Sequence, residues 1–326
     1  MQGEWKHKIL NVTDSGFESL ALELFQFQYN ENPVYRAYAD ALHVNHISVT
    51  SISKIPFLPI SFFKSYEIKT TEFKPEVVFE SSGTTGSINS KHLVKDQNWY
   101  TEIFTTIFEK TYGSLNQFCI LGLLPSYLER NNSSLVYMVN SLVEKSNHLQ
   151  SGFYLDEHEK LFTVLSGLEK QDQKTLLIGV TFGLLDFAEK YSLKLKNTIL
   201  METGGMKGRR EEMIREDVHT ILKKAFDVPF IHSEYGMTEL LSQAYSKGNG
   251  IFKNPPWMKV LVRDDEDPLT ILRVGNGVIN IIDLANIYSC CFIATDDIGR
   301  LNPDGSFEVL GRMDGSDLRG CSLLAV

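Results

Sequence analysis

The sequence predicts an α/β protein: mixed, largely parallel sheets flanked by helices, closed by a smaller β-rich part. Three observations lead there. Short apolar runs, "EVVFE", "FCILGLL", "KTLLIGV", "NTILMET" and "VPFIHSEYG", recur along the middle of the chain. Between them lie segments such as "DQNWYTEIFTTIFEKTYG" and "REEMIREDVHTILKKAF", whose apolar residues fall three and four apart. Strands separated by helices of this length build βαβ units. Beyond about residue 255 the pattern changes to "KVLVRD", "TILRVG", "GVINIIDL" and "SFEVLGR", broken by turns such as "NPDGS", which reads as an antiparallel closing subdomain.

The start of the chain is helical by the same reasoning. "FESLALELFQFQYNENPVYRAYADAL" carries apolar residues at helical spacing and reads as one or two amphipathic helices. "SKIPFLPISFFKS" follows, with three aromatics and two prolines, and reads as an irregular buried connection. The expected organisation is one domain over 1–326, with a helical segment at 1–75, an α/β core at 76–254 and the β-rich subdomain with its tail at 255–326.

The composition narrows the function classes. A chain of 326 residues with 43% hydrophobic content is long enough for a well-buried core. Its formal charge of -9 argues against a general nucleic-acid binder, because phosphate backbones are held by clustered Lys and Arg. No stretch approaches the roughly 18 uninterrupted apolar residues of a membrane span, and the start "MQGEWKHKIL" lacks a long apolar region. The expectation is a cytoplasmic protein. Of the four cysteines, Cys119, Cys290 and Cys291 sit in apolar runs and read as buried, inert thiols, whereas Cys321 lies in "LRGCSLLAV", flanked by Gly and Ser.

Three stretches carry chemistry. "ESSGTTGS", residues 80–87, follows an apolar run and holds two Gly and five Ser/Thr within eight positions. Such a turn aims backbone N–H groups and hydroxyls at one spot and suits phosphate oxygens. It is not a Walker A loop, since Ser87 follows Gly86 and no lysine occurs until Lys91. "HSEYGMTE", residues 232–239, supplies a ring to stack on a base, a hydroxyl for a phosphate and a carboxylate for Mg²⁺. "ATDDIGRLNPDGSFEVLGRMD", residues 294–314, adds carboxylates and arginines around a hairpin, suited to ribose hydroxyls and anionic phosphate. Together they fit one nucleotide.

In this order the three stretches resemble the adenylate-forming superfamily of acyl-CoA synthetases, firefly-type luciferases and nonribosomal adenylation domains. "FLPISFFKS", "SSGTTG", "LLPSYLERNNSSLVYM", "METGGMKGRR", "EYGMTELLSQAY" and "LRGCSLL" make the chain most similar to the LuxE-like acyl-protein synthetases, the fatty-acid-activating component of the bacterial luminescence reductase complex. The likeness covers most of residues 50–326. It implies the large N-terminal domain of the adenylate-forming fold, use of ATP and Mg²⁺, a fatty-acid substrate and an acyl-CoA-reductase-like protein partner.

By that resemblance Ser81, Ser82, Gly83, Thr84, Thr85 and Gly86 hold the β- and γ-phosphates. Gly204 and Gly205 line the adenine, and Tyr235, next to Gly236, flanks it. Thr238 donates to the α-phosphate and Glu239 ligates Mg²⁺. Asp297 binds the ribose hydroxyls, with Asp296 the competing assignment, and Arg312 precedes the hinge. Tyr127 aligns loosely with an acyl-pocket residue. Relatives often place a lysine where this chain has Asn89. Larger members continue into a small domain whose lysine holds the acyl carboxylate; the chain given stops at Val326, so that domain is expected to be absent. The resemblance makes Cys321 the acyl acceptor. His232 is a possible general base or a satisfied structural histidine; His43 and His46, three apart, lack a third metal ligand nearby. Two other functions stay open: a CoA ligase of the phenylacetate-CoA-ligase-like type, and a catalytically lapsed nucleotide-binding partner protein.

Overall fold

"TLLIGV", Thr175–Val180, is buried at every position, as expected of a strand with both sheet faces covered by helices. The computed structural model describes residues 2–81, 88–124, 132–204 and 213–313. The described chain divides into two units. One comprises the residues up to Ile103, Gly236–Gln243 and the chain from Lys253; the other comprises Phe104–Tyr235 and Ala244–Phe252.

In the second unit the strands Cys119–Leu123, Thr175–Val180, Thr198–Thr203 and His232–Tyr235 lie side by side and parallel. Gly152–Phe153 adds a short parallel strand beside Cys119–Leu123, and Ala244–Ser246 adds an antiparallel one beside His232–Tyr235. The helices Ser134–Ser146, His158–Lys170, Thr181–Lys190 and Arg215–Phe226 make the crossovers, because parallel neighbours cannot be joined by a tight turn. Arg215–Phe226 buries Val218, His219, Leu222 and Phe226, one stripe at helical spacing. Glu216 and Asp217 open it and Lys223 and Lys224 close it, in line with the helix dipole.

In the first unit Ile271–Leu272, Met258–Arg263, Gly275–Asp283, Phe292–Leu301 and Phe307–Arg312 form an antiparallel array in that order. Leu58–Pro59 runs parallel to Phe292–Leu301. The connection around it is buried through Phe57, Leu58, Ile60 and Phe63. The first helices are Asp14–Glu31 and Pro33–Ala41, and Asn32 serves both. Its side chain accepts from Tyr35 N at 3.0 Å, with Pro33 at the first helical position, where a missing N–H costs nothing. Phe25, Tyr35 and Phe57 surround Phe292 with ring centroids 6.3, 6.0 and 6.3 Å away, contacts worth about 0.5–1.5 kcal/mol each beyond area burial.

One feature differs from the sequence reading. Val77–Glu80 is not a member of the parallel set but pairs antiparallel with Lys91–Val94. The ten residues between them are too few for a crossover helix, so the phosphate-type loop caps a hairpin. Phe292–Leu301 is a ten-residue strand that pairs antiparallel with Phe307–Arg312, as expected of the hairpin across 294–314. Among the described residues no helix is long and apolar enough to cross a membrane.

Candidate active site

In the first unit the segment carrying Thr238 and Glu239 is anchored at consecutive residues. The His92 ring places Nδ1 2.7 Å from the Thr238 carbonyl oxygen and Nε2 3.0 Å from Asn286 Oδ1. Asn286 Nδ2 donates to the carbonyls of Glu239 at 2.8 Å and Cys290 at 2.9 Å. Asp283 takes the next stretch: Oδ2 accepts from Leu241 N at 3.0 Å and Ser242 N at 2.9 Å, and Oδ1 accepts from Ser242 Oγ at 2.6 Å and Ala285 N at 3.1 Å. Trp257 Nε1 donates to that same Ser242 hydroxyl at 3.0 Å. Burial pushes the Asp283 carboxyl above its ordinary range although these donors pull it back. Burial likewise lowers the His92 imidazole, against the Thr238 hydrogen bond and the nearby Glu239 charge.

The first helices support this arrangement. Gln28 donates to the Ile287 carbonyl at 2.9 Å and accepts from Cys291 N at 2.9 Å. Asn32 donates to the Ser289 carbonyl at 3.0 Å. The turn bearing Asn286 is therefore held by side chains from near the chain start, which is what the helical first segment contributes to the site.

Glu239 is fully buried. A carboxylate there is a hard oxygen donor, and Mg²⁺ is commonly held by one or two carboxylates together with substrate phosphates, so the donor chemistry fits that ion. No group of three or more His, Cys, Asp or Glu side chains that could hold a metal ion occurs among the described residues. His43 has a left-handed backbone with φ 55°, and His46 stacks on Tyr29 at 4.1 Å.

Asp297 and Arg312 are brought together. They are cross-strand partners, with Arg312 Nε 3.1 Å from Asp297 Oδ1. Asp296 lies 3.5 Å from Arg312 Nη2, its side chain 37% exposed against 6% for Asp297. Gly299 sits where the pairing slips by a residue; an added Cβ would meet the Glu308 carbonyl oxygen at 2.6 Å, so glycine keeps the two strands close beside the Asp297–Arg312 pair.

Of the loop residues, Ser81 alone is described. Ser81 N donates to the Ser90 carbonyl at 3.0 Å and Ser81 Oγ accepts from Ser90 N at 2.9 Å, closing the base of the loop. Lys91 is exposed at the start of the returning strand. Ser82, Gly83, Thr84, Thr85, Gly86, Tyr127, Gly205 and Cys321 lie outside the described residues.

In the second unit Gly204 ends the Thr198–Thr203 strand with φ 67°, and its carbonyl accepts from Thr181 Oγ1 at 3.0 Å. Tyr235 is buried, its ring 5.8 Å from that of Phe252; Gly236 follows it. One face of the His232–Tyr235 strand carries Ser233, whose hydroxyl donates to Glu202 Oε1 at 3.0 Å, with His219 Nε2 2.8 Å away. Burial opposes charge on Glu202, yet His219, Arg215 and Ser233 hold its carboxyl below the ordinary value. The other face carries His232, with Nδ1 3.2 Å from Tyr112 Oη, and Glu234, which accepts from Thr203 Oγ1. Burial lowers His232 to about 4 and raises Glu234 to about 7. Cys119 and Cys290 are buried and their thiols pushed up to about 11 and about 12, in keeping with inert thiols.

His92, Asp283 and Asn286 were not singled out by the sequence reading. Nothing local marks them: His92 lies 146 residues from Thr238 and Asn286 47 residues from Glu239.

The fold is that of the adenylate-forming enzymes. Similar solved structures include 2-hydroxyisobutyryl-CoA ligase in complex with 2-HIB-AMP and CoA, with a TM-score of 0.64 and 10% identity over 93% of this chain and 70% of that one. ATP-bound MatB from Rhodopseudomonas palustris gives a TM-score of 0.55 and 17% identity over 74% of this chain and 50% of that one; this chain's match spans about half the length of that enzyme. A curated relative, the long-chain-fatty-acid–luciferin-component ligase of Vibrio harveyi, is 24% identical over 337 aligned residues, covering 92% of this chain and 84% of the relative. The family model for LuxE acyl-protein synthetases matches residues 12–325, and the chain belongs to that family.

Proposed function

We propose that this chain is an ATP-dependent acyl-adenylate-forming ligase that activates a fatty acid and passes the acyl group to its own Cys321, for delivery to an acyl-reductase-type partner protein. One carboxylate oxygen of the acid attacks the α-phosphorus of ATP, the bond to the bridging oxygen breaks, and pyrophosphate leaves with acyl-AMP formed. The Cys321 thiolate then attacks the acyl carbon and AMP leaves, giving a thioester.

The barrier to the first step is electrostatic, since an anion approaches an anion. Residues 81–86 take the β- and γ-phosphates, Thr238 donates to the α-phosphate, and Glu239 holds Mg²⁺, which neutralises charge on the phosphoryl oxygens when bound. Tyr235, Gly204 and Gly205 flank adenine, and Gly236 lets the chain pass close to it. Asp297 takes the ribose hydroxyls, with Arg312 fixing its orientation.

The observation that carries this reading is Glu239, a fully buried carboxylate in a segment whose backbone is gripped by His92, Asn286 and Asp283. Burying a carboxylate is costly, and rigid placement of an acid next to a threonine is what a metal–phosphate ligand requires. The curated relative's name supports a fatty acid and a partner component. The test is incubation of the full chain with ATP, Mg²⁺ and radiolabelled fatty acids. Covalent label on the protein that is lost in Cys321→Ser, with acyl-AMP still formed, supports both steps. Label persisting in Cys321→Ser rejects the cysteine role.

A further inference from the structure

We infer that His92 is a positioning residue for the adenylation step, holding the Thr238–Glu239 segment where its hydroxyl and carboxylate can act; this rests on the roles proposed above for those two residues.

His92 occupies a buried position in the Lys91–Val94 strand, between the exposed Lys91 and the buried Leu93 and Val94. Phe79 lies opposite it on the partner strand, and the Phe63 ring meets it edge-on at 6.2 Å. In such surroundings an aliphatic side chain would pack without desolvating an imidazole, so the ring's value lies in its polar contacts. Those contacts go to the candidate site. The Thr238 carbonyl can only accept, so Nδ1 carries the hydrogen. Asn286 spends its amide hydrogens on the Glu239 and Cys290 carbonyls, so its Oδ1 faces His92 Nε2 as an acceptor at 3.0 Å, and the one hydrogen of the neutral ring goes to the shorter contact, the Thr238 carbonyl. The pair thus grips two consecutive peptide carbonyls, those of the residues assigned to the α-phosphate and the metal.

His92 also ties this segment to the phosphate-type loop. It lies on the strand that returns from that loop, two residues after Ser90, whose backbone closes the loop base against Ser81. One buried ring thereby links the strand that follows the Ser81–Ser90 pair to the Thr238–Glu239 segment.

The substitutions separate positioning from packing. Leucine at 92 fills space without a donor, whereas asparagine offers its amide nitrogen near the place of Nδ1. In acid-dependent ATP–pyrophosphate exchange, we expect His92→Leu to lower kcat about tenfold to a hundredfold, the range for a small misplacement of reacting groups, with little change in KM for ATP. His92→Asn should recover most of the loss. Amide hydrogen exchange in Gly236–Gln243 should quicken in His92→Leu and not in His92→Asn, while Thr198–Thr203 is unchanged. If His92→Leu keeps wild-type kcat and protection, or if the folded asparagine variant is no better than leucine in either measurement, the inference is overturned. Should leucine prevent folding, His92→Asn decides: near-wild-type kcat and protection support the inference, and a loss of either as large as that expected for leucine overturns it. Wild-type protein that shows no exchange with any acid would reject the proposed function instead, and the amide measurement would still decide the role of His92.

Discussion

Removing the Asp283 carboxylate strips the Thr238–Glu239 segment of its far anchor, and its cost follows from the bonds it makes. Four donors converge on it: the amides of Leu241, Ser242 and Ala285 and the Ser242 hydroxyl. In Asp283→Ala the hydroxyl can turn elsewhere, but the three amides are left in a dry interior. Each buried unmet donor costs about 1–3 kcal/mol, offset in part by the relief of burying a charge, so we expect a loss of about 3–5 kcal/mol. Asp283→Asn keeps one oxygen for two of the amides and should cost about 1–3 kcal/mol. Tryptophan fluorescence is a suited assay, because Trp5, Trp99 and Trp257 all lie in the first unit and Trp257 bonds to the hydroxyl in question. With a urea dependence of about 2–3 kcal/mol/M, the alanine midpoint should fall by about 1–2 M. An alanine midpoint within about 0.2 M of wild type, or asparagine worse than alanine, would show that the Asp283 carboxylate does not anchor the segment.

The second unit should show compensating pH effects. His232 has its pKa lowered from 6.5 to about 4 by burial and then by the Lys247 charge, so its contribution to stability is present above pH 6.5 and is lost as pH falls toward 4. Glu234 is raised from 4.5 to about 7 by burial, so its contribution is present below pH 4.5 and is lost as pH rises toward 7. Between those limits the slopes oppose. Calorimetric unfolding of Glu234→Gln should expose the His232 slope, about 1–2 kcal/mol after solvent screening, and His232→Phe the opposite one; parallel profiles for the two variants would contradict this. Glu239→Gln should reduce acid-dependent exchange about a hundredfold or more while leaving the fold intact, since its effect is on charge at the reacting phosphate; exchange within about threefold of wild type would remove Glu239 from the mechanism.

What could be read from the sequence follows from the physics of each element. Thr175–Val180 and Cys119–Leu123 are buried throughout, so their apolar runs announce themselves, and Arg215–Phe226 shows its stripe. Phe292–Leu301 was legible only through the turn that follows it, because it carries Thr295, Asp296 and Asp297 in mid-strand, where the polar groups serve Arg312 and the adjoining strand. Val77–Glu80 was recognisable as a strand, but its partner and direction depend on the length of the loop that follows. At the candidate site, Thr238 and Glu239 stand in one compact motif that the sequence alone singles out. Their supports were not legible, since His92, Asp283 and Asn286 meet that motif only through the folded topology.

As a LuxE-family ligase this chain is expected to join a fatty acid to the α-phosphate of ATP. Mass spectrometry of a reaction containing wild-type protein, Mg²⁺, ATP and straight-chain fatty acids tests it most directly. Acyl-AMP should appear only with acid present, with pyrophosphate released in equal amount. ATP converted to ADP, or no acyl-AMP with any acid despite demonstrated ATP binding, would contradict it.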